Sequence, residues 1–269
     1  MARVIDRLRI GLALLAILVM SLPLVPLQAL ALAFDWKLRR TLPRVWHRGA
    51  CFFLGIRVHR HGAIDHRRPL MIAANHASWK DIIVLGALAD VAFIAKTEVA
   101  DWPVFGTLAR LQKTIFVKRE ETRKAGDQVN EIASRMADGE IVVLFPEGTT
   151  SDGNRVLPVK SSLFGAAAAA LPLAPDGVVH VQPVAIAYTR VHGLPMGRYH
   201  RPIAGWPGDV ELIPHLMGVL KAGAIDVDVS FGEPIEFRLG DNRKLLSARV
   251  EADIRRMLLE HLRGRHKPD

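Results

Sequence analysis

Pro69-Leu-Met-Ile-Ala-Ala74, followed at once by Asn75-His76-Ala77-Ser78-Trp79-Lys80-Asp81, decides how this chain is read. The apolar run behind a proline reads as a buried strand. Ser78 then opens a helical pattern whose apolar face is Ile82, Ile83, Leu85 and Leu88. A strand–turn–helix unit of this kind belongs to an open α/β sheet, where ligands bind outside the C-terminal ends of the strands. That places Asn75 and His76 in the turn and Asp81 in the first helical turn. A neutral imidazole is a good proton acceptor near pH 7. A carboxylate on its far nitrogen fixes the tautomer and stabilises the imidazolium. Five residues along an unbroken helix would set the two about 140° apart, so the pair works only if His76 lies off the helix. The spacing alone is weak. With 11 His and 16 Asp in 269 residues, one such pair by chance is close to an even bet. Ser78-x-x-Asp81 also fits a capping box, which gives Asp81 a purely structural use.

Working outward, further strands are expected at 56–61, 91–95, 114–117, 141–145, 179–188 and 225–231. Helices are expected at 78–88, 103–111, 120–137, 161–171, 211–221 and 241–262. This alternation predicts an α/β fold, a mostly parallel central sheet flanked by helices. No internal repeat or long linker interrupts it. The 190–210 region, rich in Gly, Pro and His, reads as loop.

The N-terminus is different. Residues 10–34 carry no charge, and about 20 apolar residues suffice to cross a bilayer. Pro23 and Pro26 argue against a straight helix and leave a kinked span or a re-entrant hairpin. A cleaved signal peptide is the rival, with Arg3, Arg7 and Arg9 as its basic start and Ala31-Leu-Ala33 as its cleavage site. Dense positive charge just downstream opposes export and favours a retained anchor. Residues 1–60 hold ten of the 36 Lys and Arg against Asp6 and Asp35. The net charge of +9 is therefore concentrated around the apolar segment, as an anionic membrane surface would want it. Aromatic residues are few and no nucleic-acid motif is present. Two parts are expected: a membrane anchor with basic flanks over 1–48, and a catalytic domain over 49–269.

Three other stretches invite chemistry. Phe145-Pro-Glu-Gly-Thr149 follows the buried run 141–144, which puts Glu147 on the same sheet edge as His76 if the strands are parallel. Gly148 lets backbone approach a ligand, and amides there suit an oxyanion or phosphate. An ordinary strand-to-helix turn explains the stretch equally well. Lys118-Arg119 ends the strand 114–117. An Arg there can grip phosphate, or it pairs with Glu120 or Glu121. Lys96 and Lys160 add positive field at strand and loop ends, or are plain surface lysines. The histidines, His59-x-His61 included, show no strong metal spacing, so no metal is expected. There is no G-x-S-x-G elbow and no phosphate-binding G-x-x-x-x-G-K-[ST]. The single Cys51 excludes an internal disulfide.

Four blocks occur in order: Asn75-His76-x4-Asp81, Ile115-Phe-Val-Lys-Arg119, Phe145-Pro-Glu147-Gly148-Thr149 and Val181-Gln-Pro183-Val184-Ala-Ile186. Together they resemble the glycerolipid acyltransferases, and most nearly the bacterial 1-acyl-sn-glycerol-3-phosphate acyltransferases, over roughly residues 50–235. The resemblance implies an acyltransferase with His76 as general base and Asp81 orienting it. It implies that Arg119, Glu147, Gly148 and Thr149 bind the acceptor, with Lys96 and Lys160 as further candidates, and that Pro183 shapes the pocket wall. The implied reaction moves an acyl group from acyl-CoA or acyl carrier protein to the sn-2 hydroxyl of lysophosphatidic acid, giving phosphatidic acid. The implied place is a bacterial inner membrane, with the catalytic domain on the cytoplasmic face. A thioester is already activated, so neither cofactor nor covalent acyl-enzyme is required. One departure stands out: many members carry Arg two residues after the Gly of the third block, and here it is Thr150. Losing that phosphate ligand keeps open another acceptor, such as lyso-ornithine lipid. A non-catalytic membrane-bound lipid carrier is the alternative from a different class.

Overall fold

In this computed structural model, residues 2–117, 122–208 and 210–264 are described. Among the described residues nine strands form one sheet: β1 (Ile56–His61), β2 (Leu70–Ala74), β3 (Ala92–Lys96), β4 (Ile115–Val117), β5 (Val142–Leu144), β6 (Val178–Val191), β7 (Leu194–Pro195), β8 (Ile225–Phe231) and β9 (Ile235–Arg238). The spatial order is β1-β8-β6-β2-β5-β3-β4, with β7 and β9 also paired to β6. β2 runs parallel to both β5 and β6, and β3 runs parallel to β5 and β4. β8 turns antiparallel to β6 and carries β1 parallel beside it.

The helices are α1 (Ala2–Ala33), α2 (Leu42–Leu54), α3 (Lys80–Leu88), α4 (Phe105–Leu111), α5 (Thr122–Ala137), α6 (Gly165–Ala170), α7 (Leu212–Ala222) and α8 (Arg243–Leu262). They cover both faces of the sheet, and β2 shows how. Leu70, Ile72 and Ala74 pack into one core with residues of α2, α3 and α7, while Met71 and Ala73 enter a second core with α5, α6 and α8. All five β2 residues are buried, which is why the strand is apolar throughout instead of alternating.

Of the two shapes left open for the N-terminal segment, α1 takes the continuous one. It runs through Pro23 and Pro26 as one helix and does not fold back as a hairpin. Side chains brace it: Trp46 Nε1 donates to Ser21 Oγ (2.9 Å), Gln28 Nε2 to the Leu111 carbonyl (2.8 Å), and Arg9 to the last carbonyls of α7. Arg9 there meets the negative end of the α7 dipole. Leu8, Leu12, Leu15, Leu18, Val19 and Leu22 remain exposed. Asp6–Ala33 is apolar and long enough to cross a membrane, and it fits a membrane anchor.

Candidate active site

β2 delivers its last residue, Ala74, to the same sheet edge as the end of β5, since Ala73 pairs with Leu144 in a parallel register. The chain then leaves the sheet in a turn that side chains hold from both sides. Asn75, buried, replaces a rung of the ladder: its amide nitrogen donates to the Ile186 carbonyl (3.0 Å) and its oxygen accepts the Ile186 N–H (2.8 Å). The His76 N–H donates to Glu147 Oε1 (2.9 Å), and the His76 carbonyl accepts the Ser151 N–H (2.9 Å). The Ala77 carbonyl accepts the Trp206 N–H (2.6 Å). His76 is thus fixed by groups from β6, the loop after β5 and Trp206, with few backbone groups left to drift.

His76 lies off the helix, as the pairing argument requires, because α3 begins only at Lys80. Its Nδ1 sits 2.9 Å from Asp81 Oδ2. The same oxygen accepts the Ala77 and Ser78 N–H groups (2.7 and 2.9 Å), and Tyr188 Oη donates to Asp81 Oδ1 at 2.7 Å. Asp81 therefore holds the backbone of the turn before α3 and the His76 imidazole at once. It is fully buried, whereas the His76 side chain keeps 18% exposure. The imidazole stacks on Phe145, centroids 4.0 Å apart. This arrangement commits Nδ1 to the carboxylate and leaves Nε2 as the nitrogen able to take a proton from outside.

Glu147, 2% exposed, has both oxygens engaged by backbone: Oε1 by His76, Oε2 by the Leu157 N–H (3.0 Å). Burial pushes its carboxyl up to about 8, against the pull of those two amides. Gly148 has φ of +74°, a conformation that strains any side chain, and its N–H closes the turn on the Phe145 carbonyl (3.1 Å). Thr149 is exposed beyond it. The Lys160 N–H donates to the Pro146 carbonyl (3.0 Å), so its backbone belongs to this turn while its side chain is exposed. Lys96 is exposed at the end of β3, one strand beyond β5. Arg119 and Lys118 lie outside the described residues.

Sequence reading missed the supporting shell. Tyr188 reaches Asp81 from 107 residues away, and no local pattern announces it. Lys80 is fully buried beside the pair, donating to Ser78 Oγ (2.7 Å) and the Ala204 carbonyl (2.6 Å) beneath the Tyr188 ring. Burial lowers its amine to about 7, with Asp81 opposing the shift. Arg201, also buried, ties the same loop to the Tyr188 and Met196 carbonyls.

Comparison with known proteins meets this geometry. A family model described as "Acyltransferase" matches residues 55–187. The chain is 59% identical to the lyso-ornithine lipid O-acyltransferase of Rhizobium meliloti, over 98% of this chain and 90% of that one. It is 51% identical to the protein of the same name from Brucella abortus, over 98% and 99%. A 1-acyl-sn-glycerol-3-phosphate acyltransferase of Neisseria gonorrhoeae is more distant, at 29% over 78% and 77%. Among solved structures, the 1-acyl-sn-glycerophosphate (LPA) acyltransferase of Thermotoga maritima shares the fold, with a TM-score of 0.67 over 99% and 100% at 23% identity. Near-full-length identity at this level removes the non-catalytic carrier and leaves an enzyme: the chain belongs to the glycerolipid acyltransferase family and acylates lysolipids.

Proposed function

We propose that this enzyme transfers an acyl chain from a thioester donor to the hydroxyl of a lyso-ornithine lipid. The observation that carries this reading is the identity of 59% and 51%, over nearly the whole chain, to two enzymes of that name, against 29% to an enzyme named for a glycerol phosphate acceptor. The acceptor ranked first from sequence, lysophosphatidic acid, thus yields to the second. Thr150 agrees: where phosphate is absent from the acceptor, an Arg at that position has nothing to grip.

In the proposed mechanism His76 Nε2 takes the proton of the acceptor hydroxyl as its oxygen attacks the thioester carbonyl. Asp81 holds Nδ1–H and stabilises the imidazolium that forms. Amides flanking Gly148, whose own N–H closes the turn, stabilise the oxyanion. The tetrahedral intermediate then expels the thiolate, which recovers the proton from His76. Glu147 serves as a strut for the His76 turn. Arg119, Thr149, Lys96 and Lys160 remain candidates for acceptor or donor contacts at this edge. Residues 1–48 anchor the 49–269 domain to an anionic bacterial inner membrane, with the site on the cytoplasmic side. Exposed leucines on α1 and the basic flanks support that placement.

The test is product mass. The purified chain, given labelled acyl-CoA or acyl carrier protein, is expected to convert lyso-ornithine lipid into its O-acylated product with at least one donor. Product from lysophosphatidic acid alone would return the assignment to that acceptor.

A further inference from the structure

The His59-x-His61 pair, which the acyl-transfer site does not use, lies on β1 beside Asp226-x-Asp228 on β8. His59 Nε2 bonds Asp226 Oδ1 and His61 Nε2 bonds Asp228 Oδ1, each at 2.8 Å. The second of these pairs gains a third member. His261, in the last turn of α8, brings its Nδ1 to 3.8 Å from the same Asp228 oxygen, with its ring 4.7 Å from that of His61. One donor atom from each of His61, Asp228 and His261 lies within 4.8 Å of the others. Alternation along β8 explains the meeting. Ile225, Val227, Val229 and Phe231 enter the core under α2 and α3, so Asp226, Asp228 and Ser230 point to the α8 side.

We propose that His61, Asp228 and His261 form a site for a divalent transition metal, with zinc the ion the ligand set fits best. Two imidazoles and a carboxylate are a borderline-soft set suited to zinc, and three protein ligands leave a position for water. Zinc bonds of about 2.0–2.1 Å in tetrahedral geometry separate ligand atoms by roughly 3.3 Å. The two spacings to Asp228 Oδ1, 2.8 and 3.8 Å, bracket that value, each within about half an ångström of it. The outer contacts are those a metal site needs. Thr189 Oγ1 donates to Asp228 Oδ2 (2.6 Å), which leaves Oδ1 aimed at the imidazoles. Ser230 Oγ engages His261 Nε2 (2.5 Å), which directs Nδ1 toward Asp228. The His61 side chain, 20% exposed, gives an ion its way in, while Asp228 and His261 are held inside. The three ligands come from β1, β8 and α8, so a bound ion clamps the C-terminal helix to the sheet. That clamp reaches the active site through two adjacent residues of β6: Thr189 holds Asp228 on one face, and Tyr188 holds Asp81 on the other.

The test uses the untagged full chain in detergent, stripped with chelator and then dialysed against zinc chloride or cobalt chloride. One equivalent of zinc per chain is expected to remain. With zinc near a hundred times its dissociation constant, the Tm is expected to rise by roughly 5–10 °C. Cobalt is expected to give the visible absorption of a low-coordinate nitrogen–oxygen site. His61→Ala and Asp228→Asn should each lose the ion and the Tm rise, while His59→Ala keeps both. His61 is partly exposed, so its variant folds and gives a fair reading. Absence of retained metal in the parent chain, or equal retention in His61→Ala and Asp228→Asn, would overturn the site.

Discussion

Replacing His76 by Ala is expected to lower kcat by about 10³-fold or more while the chain stays folded. The loss follows from removing the only group of the pair whose free nitrogen reaches outward. The fold survives because Asp81 does not become an orphan charge: it keeps the Ala77 and Ser78 N–H groups and the Tyr188 hydroxyl. Asp81→Asn tests the other half. A neutral amide brings no charge to stabilise the imidazolium, and with its NH2 turned toward Nδ1 it reverses the tautomer that presents a basic Nε2. kcat should fall by a comparable factor, with the apparent KM changing far less. Steady-state rates with a saturating thioester donor, beside a urea unfolding curve for each variant, separate loss of chemistry from loss of structure. Parent-like turnover in His76→Ala would end the general-base assignment.

Glu147→Gln is expected to act on stability and rate together, with a pH signature of its own. A glutamine offers one oxygen where two backbone N–H groups need acceptors, so either His76 or Leu157 loses its partner. An unmet buried donor costs about 1–3 kcal/mol. The His76 turn shifts with it, and a displacement of that kind costs roughly 10- to 100-fold in kcat. The pH dependence follows from the raised carboxyl. In the folded chain it holds its proton up to about 8, and in the unfolded chain it releases it near 4.5. Between those values the folded state binds more protons, so this group's contribution is full below pH 4.5 and is lost as pH rises to 8. Glutamine does not titrate. The stability advantage of the parent over Glu147→Gln should therefore shrink from pH 5 to pH 8, by roughly 2–4 kcal/mol. Denaturant midpoints across that range measure it. A gap that widens with pH would mean that the two amide bonds outweigh burial and the carboxylate is charged.

The reach of the sequence is uneven for a physical reason. His76 and Asp81 were legible because strand, turn and helix start fall within a dozen consecutive residues, and local spacing carries their geometry. Glu147 was legible as a residue of the same edge, since both strands are buried apolar runs of the parallel kind. Strand direction was not. β8 alternates apolar and polar residues where β2 is apolar throughout, and it runs antiparallel to β6; neither pattern records a strand's direction. β9 alternates buried and exposed residues over only four positions, too few to register. α2, whose core face includes Ala50, Cys51 and Leu54, lies among Arg39, Arg40, Arg44 and Arg48, where the charge that suits a membrane surface masks the helical pattern. Tyr188, Lys80 and Arg201 have no local signature at all; only folding brings them to the pair.

The most direct measurement of the central claim is a competition. Equimolar lyso-ornithine lipid and lysophosphatidic acid are offered together with one labelled thioester donor, and the two products are separated by mass. Their ratio gives the ratio of kcat/KM for the two acceptors. An enzyme built for lyso-ornithine lipid is expected to favour that product by at least about tenfold, a difference of some 1.4 kcal/mol in transition-state binding, and His76→Ala is expected to form neither. A majority of phosphatidic acid would contradict the assignment of the acceptor, and undiminished product from the variant would contradict the assignment of the base.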